Sequence, residues 1–104
     1  MRYVYAVDDD AAVRDSLRWL LESSGFEVRV YPSAEAFLRE YRCGSGLCLI
    51  LDLRLPGLCG PDLQRELRRR GDALPLIFLE KPVDAEELLR AVETAGLALS
   101  AADR

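Results

Sequence analysis

The chain has 104 residues, half of them hydrophobic and 31% charged, with a net charge of -4 and no histidine. That length fits one domain burying roughly 65% of its unfolded surface. The acidic balance argues against a nucleic-acid-binding face, and the missing histidine removes imidazole ligands, bases and nucleophiles. Cys43, Cys48 and Cys59 lack the spacing of a zinc ribbon or a thioredoxin motif, so they read as ordinary thiols in a reducing compartment. No apolar run approaches the roughly 20 residues of a membrane span, and the N-terminus shows no signal-peptide core. The expected location is the cytoplasm.

Tyr3 to Val7 is a short β-rich run halted by Asp8-Asp9-Asp10. From Ala11 the period changes: Val13, Leu17, Leu20 and Leu21 recur at helical spacing opposite Arg14, Asp15, Arg18 and Glu22. Ser23-Ser24-Gly25 ends that helix. Glu27 to Tyr31 alternates polar and apolar residues, the pattern of a half-exposed edge strand. Pro32-Ser33 opens a second helix carrying Ala36, Phe37 and Tyr41, and Cys43-Gly44-Ser45-Gly46 closes it. Leu47 to Leu51 is continuously apolar, as a strand covered on both faces of a parallel sheet is.

A Leu55-Pro56-Gly57 turn precedes a third helix, with Pro61 as its first residue and Leu63 and Leu67 following. Arg68-Arg69-Arg70-Gly71 ends it, the arginines lying beside the negative end of the helix dipole. Leu74 to Leu79 reads as the fourth strand, its core Leu76 to Leu79. Asp84-Ala85-Glu86-Glu87 has capping-box character for a final helix through Leu88, Leu89 and Val92. The alternation predicts a single α/β domain over residues 1–104, whose tail 97–104 belongs to the domain or leads into a linker.

The chemistry-bearing residues stand at strand ends, where an open parallel sheet gathers its ligand groups. Asp8, Asp9 and Asp10 follow the first strand, Asp52 follows the third, and Lys81 follows the fourth. Acids crowded into one crevice repel one another unless a cation joins them, and an oxygen-only donor set suits Mg²⁺. Lys81 then meets the anion that the metal holds, so the residues predict a Mg²⁺-dependent phosphoryl site. The plainer alternative makes the acids a helix N-cap run before Ala11; Asp10 reads as that cap, and Asp8 and Asp9 as ligands.

Three stretches, in order along nearly the whole chain, resemble response-regulator receiver domains, particularly those of FixJ-type transcriptional regulators. They are Val7-Asp8-Asp9-Asp10, Leu51-Asp52-Leu53-Arg54-Leu55-Pro56-Gly57-Leu58-Cys59-Gly60, and Lys81-Pro82. The resemblance implies a flavodoxin-like (CheY-like) fold and carries roles over by position. Asp52 becomes the phosphoacceptor, Asp9 a direct Mg²⁺ ligand, Asp8 a water-mediated one, and the backbone oxygen of Arg54 the remaining protein ligand. Lys81 pairs with the phosphoryl group. A sensor histidine kinase becomes the implied donor, and any enzymatic activity is limited to self-phosphotransfer and autodephosphorylation.

The chain departs from the family between Asp52 and Lys81. About one βα repeat is missing: the end of strand four, helix four and most of strand five. A truncated doubly wound sheet of about four strands, in order 2-1-3-4 with about four helices, is therefore predicted. Glu80 stands where the family carries a hydroxyl residue, and the aromatic that the family carries on its fifth strand goes with the missing segment. The moving element of the usual two-state switch is gone.

Removing a helix is expected to uncover apolar sheet surface, which a homodimer would cover, the final helix crossing between protomers as one route. Two further readings compete with a competent phosphoacceptor. One is a phosphorylation-independent pseudo-receiver acting as a dimerisation or protein-binding module. The other is a small Mg²⁺ phosphatase, disfavoured because Arg54 stands where its general acid would be. No helix-turn-helix segment is visible, so direct DNA binding is expected only of a domain that could follow in a longer protein.

Overall fold

A computed structural model describes residues 2–52, 60–79 and 84–102. Its elements alternate as β1 (Tyr3–Val7), α1 (Ala11–Ser23), β2 (Val28–Tyr31), α2 (Ala34–Glu40), β3 (Gly46–Asp52), α3 (Gly60–Arg69), β4 (Leu76–Leu79) and α4 (Ala85–Ala102). The strands form one parallel sheet in the order β2-β1-β3-β4. This is the truncated doubly wound architecture predicted from the sequence.

Period-2 alternation divides the strands between two cores. Val4, Ala6, Cys48 and Ile50 face α1 and α4, meeting Leu17, Leu21, Leu88 and Val92. Tyr5, Val7, Leu49 and Leu51 face α2 and α3, meeting Phe37, Leu63 and Leu67. β3 therefore needs apolar residues on both sides, which is why its sequence runs without alternation. Burial pushes the Cys48 thiol up to about 12, so it stays protonated and behaves as a small apolar side chain. Cys59 lies outside the described residues.

The helix starts follow the capping signals. Asp10 accepts a hydrogen bond from the Ala12 N–H at 2.9 Å, and Ser33 accepts one from Ala36 at 3.1 Å. At the end of α3, Gly71 takes φ 82°, a left-handed conformation that suits a residue without Cβ. Arg69 and Arg70 do more there than offset the helix dipole. Both grip Glu66, holding its carboxyl down at about 2, and Arg70 also donates to the Leu38 carbonyl of α2 at 3.1 Å.

Several boundaries differ from the sequence expectation: β2 starts at Val28 rather than Glu27, β3 takes in Gly46 and Asp52 at its ends, and β4 starts at Leu76 rather than Leu74. The helix α3 begins at Gly60, one residue ahead of Pro61. Tyr41 leaves α2 in an extended conformation, because its hydroxyl reaches across to the Asp72 carboxylate, which also accepts from the Gly44 N–H. The helix α4 runs on to Ala102, through most of the stretch read as a tail. Gly46 opens β3 where space is short: a Cβ there would lie 2.6 Å from Leu74 Cδ1.

β4 is an edge strand of the described sheet. Phe78 pairs with Leu51 and so shares the α2/α3 face, yet it stays 45% exposed. Its ring lies over the first residue of α3, where a Cβ on Gly60 would come within 2.4 Å of it. Apolar surface is thus uncovered on the face from which the family's fourth helix is missing.

Candidate functional site

Parallel register brings the acids together. Val7 pairs with Leu51, so the next residue on each chain, Asp8 and Asp52, emerges side by side at the strand ends. Asp9 joins them, and one carboxylate oxygen from each of Asp8, Asp9 and Asp52 falls within 4.8 Å of the others. Asp52 is 6% exposed and Asp8 fully buried, whereas Asp9 faces solvent.

Asp8 is held from several directions. Its N–H donates to the Tyr31 carbonyl at 3.2 Å, and its Oδ1 accepts from the Asp10 N–H at 2.9 Å. Arg14 donates from α1 to the Asp8 carbonyl at 2.8 Å. Arg14 was read from the sequence as an outward-facing helical residue. The available signal was its place one helical turn inside α1, close to the strand end that α1 follows.

Asp10 is not part of the acidic trio. It caps α1, as expected. Lys81 and Arg54, with Glu80, lie outside the described residues, although Leu79, two positions before Lys81, pairs directly with Asp52. The donor set is oxygen-only, compact and half-buried, which fits a hard divalent cation of the Mg²⁺ type.

Metal binding should therefore register as stability. Binding to the folded state alone adds RT ln(1 + [L]/Kd), about 1.4 kcal/mol at tenfold excess over Kd. Asp9→Asn should melt above wild type in chelator, because it relieves repulsion between neighbouring carboxylates, and should lose the Mg²⁺ response. Thermal unfolding with and without Mg²⁺ checks both; identical melting of wild type in the two buffers would count against the site.

Comparison with known proteins places this geometry. The family profile described as "Response regulator receiver domain" matches residues 4–97. The chain is 45% identical over 91 residues to the transcriptional regulatory protein TdiR of Thauera aromatica, covering 86% of this chain and 40% of that protein. It is 33% identical over 114 residues to the transcriptional regulatory protein FixJ of Bradyrhizobium diazoefficiens, covering 89% of this chain and 56% of that protein.

Among solved structures, the response regulator StyR superposes with a TM-score of 0.85 at 38% identity, covering 99% of this chain and 62% of that one. The chain thus spans about half the length of these relatives. The FixJ match extends over 114 positions although 89% of a 104-residue chain takes part, so FixJ carries a segment with no counterpart here. The TdiR match needs no such gap.

Proposed function

Because the chain belongs to the response regulator receiver family, we propose that it is a Mg²⁺-dependent phosphoacceptor that takes a phosphoryl group from a sensor histidine kinase onto Asp52. The observation that carries this reading is the position of Asp52 at the end of an internal strand, with its carboxylate within 4.8 Å of those of Asp8 and Asp9. Asp8, Asp9, Asp52 and the Arg54 carbonyl would hold Mg²⁺, which when bound neutralises charge on the phosphoryl oxygens.

A carboxylate oxygen of Asp52 attacks phosphorus in line, the bond from phosphorus to the donor's histidine nitrogen breaks, and an acyl phosphate remains on Asp52. Lys81 pairs with the transferred group. Burial of Asp52 keeps water from the new acyl phosphate. A partner of sensor histidine kinases would act in the cytoplasm; among the described residues no helix is long and apolar enough to cross a membrane.

The test is intact-protein mass after incubation with acetyl phosphate. With Mg²⁺ the wild type should gain one phosphoryl mass, and with chelator none. An unmodified protein at saturating donor would sink the proposal in favour of a phosphorylation-independent binding module.

The partner state follows from β4. Natural edge strands are often blunted by charge, whereas Leu76–Leu79 carries none and leaves Phe78 exposed. A homodimer, swapped through α4 or joined along this edge, is the expected state with or without phosphate. Light scattering after size exclusion checks it: a monomer in both states, or a dimer only after phosphorylation, would refute it.

A further inference from the structure

At the end of the sheet opposite the carboxylates lies an open polar cleft of about 660 Å³, walled by Arg29, Arg39 and Arg42 over the rings of Tyr3, Tyr5 and Tyr41. Tyr3 opens β1, and Ser45 directly precedes β3, so the cleft sits at the strand starts, beside the end of α2. Its volume falls within the range of small-molecule sites, about 300–1,000 Å³.

Several arginines elsewhere in the fold are paired with acids, although Arg14 meets a backbone carbonyl and, among the described residues, Arg68 stands alone on α3. Arg18, Arg65, Arg69, Arg70 and Arg90 each meet a carboxylate on their own helix. Among the described residues, the guanidiniums of Arg39 and Arg42 meet none. Arg29 is parked over the Tyr3 ring, 4.5 Å from its centroid. Glu40, the acid among the lining residues, lies beside Tyr31, whose hydroxyl burial and then the Glu40 charge push above the usual tyrosine range.

The hydroxyls of Tyr5, Tyr41 and Ser45 are already committed. Ser45 Oγ donates to the Arg42 carbonyl at 2.6 Å, so the Tyr5 hydroxyl must supply the proton in its 2.8 Å bond to Ser45. Tyr41 donates to Asp72. The charged donors left for a ligand are the guanidiniums, gathered on a chain whose net charge is -4. Guanidinium forks fit phosphate oxygens in pairs.

We propose that this cleft binds a multiply charged phosphate anion, free or as the polyphosphate of a nucleotide, between the Arg39 and Arg42 guanidiniums. Arg29 closes the third side and adds charge without leaving Tyr3. The site is remote from Asp52 and does not depend on the phosphoryl chemistry proposed there.

The test is calorimetric titration of the whole chain at low salt in metal-free buffer, so that phosphate cannot bind through a cation at the aspartates. Tripolyphosphate, ATP, adenosine and citrate are the probes. Tripolyphosphate and ATP should bind and weaken as salt is raised. The Arg39→Gln/Arg42→Gln double variant should lose about tenfold or more in affinity, the ratio expected for losing charge-assisted hydrogen bonds. Arg68→Gln, an exposed charge on α3, should bind as wild type does.

Equal affinity for the two phosphates assigns the polyphosphate alone, and tighter ATP assigns a nucleotide. Amide shifts on binding should centre on residues 39–45. Absent binding, citrate binding as tight as tripolyphosphate, shifts centred elsewhere, or a folded double variant that binds like wild type would each overturn the assignment.

Discussion

Asp52→Asn should carry no phosphoryl group under conditions in which wild type gains one, a loss of the whole signal in an intact-mass measurement. The expectation rests on how differently the three acids are placed. Asp8 is fully buried and engaged through its N–H, its carbonyl and its Oδ1, so it has no open approach to an incoming phosphorus. Asp9 is exposed, where an acyl phosphate would meet water directly.

Asp52 combines a near-buried carboxylate with a rigid strand end, held by β1 on one side and β4 on the other. Asparagine keeps the shape and removes the nucleophilic oxygen. Phosphoryl mass retained on Asp52→Asn, mapped by fragmentation to Asp9 or elsewhere, would mean that the nucleophile has been assigned to the wrong acid.

Phe37→Ala should cost about 3–5 kcal/mol, the range for truncating a buried aromatic. Phe37 has no exposed surface and stands at the centre of a ring cluster: 4.9 Å from Tyr41 in a stacked pair, 5.3 Å from Tyr5 and 5.8 Å from Tyr31 in edge contacts. Each such pair adds about 0.5–1.5 kcal/mol beyond area burial. The helix α2 has seven residues, too few to persist without tertiary contacts, so Phe37 is its main attachment to the sheet. A domain of this kind has about 5–15 kcal/mol in total, so the variant should stand near the folding threshold. Urea unfolding followed by circular dichroism should show the midpoint falling by about 1 M or more. A loss below about 1 kcal/mol would show that the three tyrosines hold the second core without it.

Much of this molecule could be read from residue order. Uninterrupted apolar residues from Leu47 to Leu51 can be satisfied only between two helical layers, and the change of period at Ala11 follows from Asp10 capping. The fourth strand directly preceding the Lys81 motif marked the missing repeat, and with it the strand order and the exposed face at Phe78. Strand-end positions foretold that Asp8, Asp9 and Asp52 would lie together, because a parallel sheet delivers the ends of its strands to one side.

Other features arose only when the chain closed. The pairing of Val7 with Leu51, and so the contact of Asp8 with Asp52, is a matter of register between segments more than forty residues apart. Arg14 holds the Asp8 backbone because α1 packs back along β1, and Tyr41 leaves its helix to reach Asp72. The basic cleft joins Arg29 of β2 to Arg39 and Arg42 at the end of α2, residues that no local pattern links. Propensity and period act over one element at a time, whereas charge placement between elements depends on which strand starts and helix ends the packing sets side by side.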